Sequence, residues 1–332
     1  MGENNTQSEF FQTLKSSIPG NISLVDEVAE ALNISNDSAY RRMRGETPLS
    51  LDEFRILCNR FKVTPQFLNP TGEGAFFHYR YLEPTTQSFG LYLQSLMDDL
   101  QKVNGFEQKK IITVAKDIPI FHFFQFPLFC TFKMFFWMKS ILSVRELADK
   151  KFTPSLIDNS LIDLAGKMAE LYIKIPAVEI WTDETVHTAV RQVEYYWESG
   201  FLEKKEDGLA LCGQLREMIS HIQKQAEAGA KFFYGLQPRQ EPENFKLFYS
   251  DFIIANNTIL VAAGNMRTVY LTHRTFNALV TRDTRFCTET ENWIHNLEKT
   301  SYLLSGIAEK QRNRFFNDML GKVEMLEKKI NS

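Results

Sequence analysis

The sequence predicts a mainly α protein with a smaller α+β part: five short helices in front, a larger helical region, and a C-terminal three-stranded antiparallel meander with helices. Three observations carry this. The 332 residues suggest about two domains, and the cluster Asn69-Pro-Thr-Gly-Glu-Gly74 marks a helix stop and a linker. Apolar residues recur at helical spacing over most of the chain up to residue 228. Beyond residue 245 the pattern turns to β-branched and aromatic runs parted by short loops rich in Asn and Gly. The chain therefore divides into a head (1–70), a linker (71–84) and a body (85–332), the body being helical over 85–240 and α+β over 241–332.

In the head, Phe10–Ser17 reads as a first helix, and the stretch from Leu24 to Gly45 reads as two short helices joined by a tight turn. Such a pair needs a small residue where the backbones cross, a turn residue that tolerates positive φ, and apolar positions facing inward. Ala29 and Asn33 supply the first two, and Val28, Leu32, Ile34 and Ala39 supply the inward face. Ser35 or Asn36 is a natural N-cap for the second helix, and Gly45 closes it. Ser50-Leu-Asp-Glu53 forms a capping box for a helix over Leu51–Arg60, with Phe54, Leu57 and Phe61 as its apolar stripe. Thr64-Pro65 starts a last short helix, Pro65–Leu68.

This order of elements, with its ending Val63-Thr64-Pro65-Gln66-Phe67-Leu68, resembles the Cro-like (XRE) helix-turn-helix family over residues 8–69. The resemblance implies a lambda-repressor-like five-helix domain and a cytoplasmic transcriptional regulator that binds double-stranded DNA as a homodimer. Two positions depart from the family pattern. Asn33 replaces the turn glycine, and Arg42 stands where an apolar residue is usual, so either the last helical turn rotates or Arg42 packs only its stem. In this geometry the second helix enters the major groove and presents Ser35, Asn36, Asp37, Ser38, Tyr40, Arg41 and Arg44. Asn pairs with adenine, Asp accepts from cytosine, and Arg reads guanine or holds a phosphate. The downstream region, its aromatic segment above all, resembles long regulators of the Bacteroides group, which implies no defined ligand.

Charge works against strong DNA binding by one head. Residues 1–70 carry seven Lys/Arg against nine Asp/Glu, a net of −2, and the whole chain is −3. Phosphate neutralisation drives non-specific affinity, so two heads on a dyad are expected.

In the body, helices are predicted at Thr85–Val103, Pro119–Leu142, Leu156–Ile173, Glu184–Ser199 and Gly208–Ala228, with strand-like runs at Lys110–Val114 and Ala177–Trp181. The meander is expected from Phe245–Ile254, Thr258–Ala263 and Thr268–Thr272, followed by helices at Phe276–Val280, Glu289–Leu297 and Ser301–Lys329. The chain holds 28 Phe residues, a surplus that implies a large core, an interface or an apolar pocket. The most aromatic run, 118–138, is long enough to span a bilayer. However, Pro119, His122, Gln125, Pro127 and Lys133 interrupt it, so a buried or interfacial helix is expected rather than a membrane span. This helix and the last one, Ser301–Lys329, are the surfaces expected to make the dimer.

Composition and motifs exclude other classes. Met1–Ser8 has neither the basic nor the apolar part of a signal peptide. Cys58, Cys130, Cys212 and Cys287 are scattered singly, which predicts free thiols in a reducing compartment and no metal site. No Gly-rich phosphate loop, His-Glu-x-x-His, nucleophile elbow or kinase set is present, so neither enzyme activity nor a cofactor is expected. Glu179, Asp183 and Glu184 around Trp181 fit either a cation site or a helix start. The body exceeds what dimerisation requires, and sensing of a small-molecule or protein effector is expected of it. Two alternatives remain at this level: a head that grips a protein instead of DNA, and an enzyme whose site lies in the body.

Overall fold

The computed structural model describes residues 6–61, 63, 74–237 and 243–332. Among these the chain is mainly helical, with twelve α-helices and one eight-stranded mixed sheet. The head contributes α1 (Thr6–Ser16), α2 (Leu24–Leu32), α3 (Asn36–Met43) and α4 (Leu51–Phe61). Phe10, Leu14, Val28, Ala39 and Leu57 meet in an apolar core separate from that of the body. The expected helix Pro65–Leu68 lies outside the described residues.

The body is built on strands β1 (His78–Tyr79), β2 (Lys109–Ala115), β3 (Ala177–Trp181), β4 (Phe245–Tyr249), β5 (Thr258–Ala263), β6 (Met266–His273), β7 (Asn277–Thr281) and β8 (Tyr302–Leu303). They lie in the order β1-β7-β6-β5-β2-β3-β4-β8. β2, β3 and β4 run parallel to one another, and every other pairing is antiparallel. The helical connections are α5 (Thr86–Asn104), α6 (Ile120–Phe123), α7 (Pro127–Phe136), α8 (Asn159–Lys174), α9 (Asp183–Glu198), α10 (Lys205–Ala228), α11 (Thr284–Thr300) and α12 (Glu309–Asn331). Strand alternation sorts two layers. Ile111, Ala115, Ala177 and Trp181 face the large core shared with α5, α7–α10 and α12. Ile112, Val114, Val178 and Ile180 face a smaller core shared with Cys287, Ile294 and Leu297 of α11. One sheet therefore joins the stretches 85–240 and 241–332.

Several expectations are corrected. The first predicted meander strand, from Phe245, forms β4, which pairs in parallel with β3 and does not pair with β5. The antiparallel meander is instead β5-β6-β7. Asn257 does not make a hairpin turn after β4. Its side-chain oxygen accepts from the backbone N–H groups of Lys116 (2.6 Å) and Asp117 (2.9 Å), pinning this loop to the end of β2. The predicted helix Phe276–Val280 is strand β7, entered through Arg274 and Thr275 at φ 51° and 73°. Within the stretch read as linker, β1 pairs with β7 at the sheet edge.

The aromatic segment breaks into α6 and α7, with Pro127 at the start of α7, and ends in a π-helical turn over Trp137–Ile141. It is interior: Phe129, Phe132 and Phe135 are fully buried, and so is Lys133, whose ammonium donates to Asp117 and Gln192 at 2.8 Å each. The last helix starts only at Glu309, and its stripe of Phe316, Met319, Val323 and Leu326 is buried in the same core, beside α9 and α10. The Phe-rich helix and the apolar stripe of the last helix are thus taken up by the core, while Tyr302, Leu303 and Ile307 within 301–329 stay exposed. Among the described residues, no helix is long and apolar enough to cross a membrane.

Candidate nucleic-acid interface

The α2–α3 corner follows from its sequence locally. Ser23 caps α2 by accepting from the Asp26 N–H, and Asn33 ends it in the left-handed region at φ 52°, ψ 50°. Ser35 then opens α3, its hydroxyl accepting from the Ser38 N–H at 3.2 Å. Val28 and Ala39 are fully buried at the crossing, so the register of the corner is set by burial on one side and by caps at both ends.

That register places Ser35, Asn36, Asp37, Tyr40, Arg41 and Arg44 on the exposed side of α3. Ser38 is half-buried, its hydroxyl accepts from Ser35, and its carbonyl accepts from Arg42. Asn36 donates to the Asp26 carboxylate at 2.7 Å across the corner. The Arg44 guanidinium lies 5.5 Å from the centre of the Tyr40 ring. Six of the seven predicted residues therefore share one solvent-facing surface, while Ser38 belongs mainly to the helix start.

Arg42 settles between its two sequence alternatives through an ion pair. Its guanidinium meets Glu53 at 2.8 Å and donates to the Ser38 carbonyl at 3.2 Å, with both charged side chains largely shielded. Glu53 also completes the predicted capping box, accepting from Ser50 N–H at 3.0 Å while Ser50 accepts from Glu53 N–H at 3.2 Å. Its carboxyl is held below the usual range, first by the hydrogen bond from Arg42. Arg42 is thus a strut between α3 and α4, not a member of the exposed face.

Three residues that shape this face escaped the sequence reading. Gln7 of α1 donates to the carbonyls of Arg42 (2.7 Å) and Thr47 (2.8 Å) and accepts from Leu49 N–H (2.9 Å), tying down the end of α3. Asp26 holds Asn36, as above. Glu46 meets Arg44 at 2.9 Å and Arg41 at 3.9 Å. The only sequence signal for Glu46 is an acid just after an arginine run; nothing marks Gln7.

The other carboxylate cluster comes apart. Glu179 is fully buried, accepting from His122 (2.8 Å), Tyr172 (2.5 Å) and Trp181 (2.8 Å). Burial raises its pKa, but the three donors outweigh this and hold it below the ordinary value. Asp183 and Glu184 are exposed in the first turn of α9, where negative charge suits the helix start. Among the described residues, no group of three or more His, Cys, Asp or Glu side chains is placed to hold a metal. No family model, curated protein or solved structure matches the chain.

Proposed function

We propose that the chain is a sequence-specific transcriptional regulator that reads double-stranded DNA with the exposed face of α3. The supporting observation is the α2–α3 corner: a left-handed joint at Asn33 and a Ser35 cap direct six hydrogen-bonding or cationic side chains outward from one buried seam. The start of α3 enters the major groove, where Asn36 and Asp37 meet base edges, and Arg41 and Arg44 meet guanine or phosphate. Binding requires Arg41 and Arg44 to exchange Glu46 for DNA, and Asn36 to exchange Asp26. Exposed pairs of this kind contribute only about 0–1 kcal/mol, so the exchange is accessible.

With a head of net charge −2, useful affinity calls for a homodimer, in which a second linked contact raises affinity by ~10²–10⁴. The dimer would use surfaces other than α7 and the buried stripe of α12. The test is titration of a duplex mapped by protection of genomic DNA. Arg41→Ala and Asn36→Ala each lower affinity by about 1–3 kcal/mol with unchanged melting. Unaltered affinity in both variants rejects α3 as the reading element. The acidic balance and the Glu46 pairs favour a second reading, a head that grips a basic protein surface. Absence of any salt-dependent duplex binding would select it.

A further inference from the structure

We propose that the cleft between head and body binds a small planar organic molecule bearing an anionic group, and that its occupancy tunes DNA reading. The second half rests on the reading of α3 given above. The cleft has a cavity of about 790 Å³, bordered by Cys58 and Asn59 of α4 on the head side and by β1, α5, β6, β7 and the start of α11 on the body side. That volume falls within the ~300–1,000 Å³ typical of small-molecule sites.

The floor follows from strand register. His78 stands opposite Val280 in the antiparallel β1–β7 ladder, and residues directly opposite share a face. One face therefore carries Phe76, His78 and Arg80 beside Ala278, Val280 and Arg282, and all six line the cavity. Arg80 and Arg282 stand at the two ends of an apolar floor. Arg282 also bridges the two parts of the chain, donating to the Phe61 carbonyl and to the Thr268 hydroxyl at 3.3 Å each.

Two tyrosines add aromatic surface. Tyr270 stands opposite Val280 in the β6–β7 ladder and extends the floor, while Tyr92 of α5 also lines the cavity, fixed by donating its hydroxyl to the Phe276 carbonyl at 2.6 Å. A flat apolar ligand body suits such surfaces. Charge sets the rest of the ligand. Asp283 caps α11 by accepting from Phe286 N–H, and Glu289 pairs with Arg285, so these rim acids are engaged locally. Arg80, Arg282 and Asp99 of α5 also line the cavity, which suits an anionic group toward Arg80 and a hydroxyl or amine toward Asp99. Because α4 follows α3 and borders the cleft, a bound molecule changes the footing of the reading head.

The test uses the full chain and 8-anilinonaphthalene-1-sulfonate, an anion with a flat naphthalene ring whose emission rises in apolar sites. One molecule should bind per chain. Ala278→Trp, which fills the floor, and Arg80→Ala, which removes a charge from an exposed residue and spares the fold, should each weaken binding by about tenfold, equivalent to about 1.4 kcal/mol. Ile307→Asp, at a fully exposed apolar residue away from the cavity, should leave it unchanged. Binding indifferent to both cavity variants, or lost with Ile307→Asp, overturns the site. These titrations contain no DNA, so they stand apart from the reading of α3. In a second arm, saturating probe should shift half-saturation of the mapped duplex by at least about threefold. An unshifted curve overturns the coupling, whereas no duplex binding with or without probe overturns the reading of α3.

Discussion

Replacing Glu53 by Ala should loosen the head more than replacing its partner Arg42 by Leu. Glu53 serves two roles, closing the capping box with Ser50 and neutralising Arg42 between α3 and α4. Loss of the cap costs about 0.5–2 kcal/mol, and leaving a shielded guanidinium without its charged partner costs about 1.5–3 kcal/mol. A total of roughly 2–5 kcal/mol is a large share of the ~5–15 kcal/mol that holds a domain together. Arg42→Leu leaves the capping box intact and removes a buried guanidinium nitrogen that has no partner, but it strands the Glu53 carboxylate with only Ser50 as donor among the described residues, for a cost of about 1.5–3 kcal/mol. All four Trp residues lie at or beyond Trp137, so fluorescence is blind to the head. Hydrogen exchange of α3 and α4 amides is the assay, with protection expected to fall on the order of 10²-fold in Glu53→Ala. The pH dependence has a definite sign. Because the folded pKa of Glu53 is lowered from 4.5, its contribution is fully present above that value and vanishes as pH falls through the folded pKa. Wild type and variant should therefore converge in acid. Equal loss of protection in both variants at neutral pH would refute the capping role of Glu53, and no loss in either would refute the strut.

Two further outcomes concern the body. Glu179→Ala strands three buried donors, His122, Tyr172 and Trp181, and should destabilise the body by about 3–5 kcal/mol, read as an earlier urea midpoint in Trp fluorescence; an unmoved midpoint would show the cluster to be dispensable. His221 is kept neutral by burial, its pKa lowered from 6.5 to about 4 while its Nε2 lies 2.9 Å from the Phe232 carbonyl. The unfolded chain takes up the proton first, so this contribution is whole above pH 6.5 and declines by on the order of 3 kcal/mol as pH falls to about 4. His221→Gln should flatten that part of the stability profile, and an unchanged slope would assign the acid sensitivity elsewhere.

The head was legible because its determinants are local. Ser35, Asn33, Gly45 and the Ser50–Glu53 box act within a few residues of themselves, and the structure places each where cap and turn chemistry require. The body was legible only as a series of elements. Its sheet order depends on partners far apart in the chain: Asn257 on the end of β2, Tyr92 on Phe276, His122 on Glu179. Asn256-Asn257 has the composition of a hairpin turn, and nothing nearby reveals that Asn257 is bound 140 residues away. The β6–β7 turn carries the opposite problem, since Arg274 and Thr275 adopt positive φ without Gly or Asn to announce it. Without that cue, Phe276–Val280 read as a helix.

The aromatic surplus has the same explanation, with a consequence for assembly. Phe129, Phe132, Phe135, Phe245 and Phe316 all lie in one core beneath the parallel strands, so composition that fitted an interface, a pocket or a core belongs to the core. An interior of this kind cannot also pair two chains, because exposing it would forfeit about 25 cal/mol per Å² of burial. If the regulator reading holds, two-fold pairing must rest on side chains the fold leaves outside. Among the largest are Phe252 and Ile253 after β4, and Tyr302 and Leu303 on β8. A dimer broken by charge at Ile253 but indifferent to charge at the exposed Met325 of α12 would place pairing at the sheet edge; the reverse result would return it to the last helix.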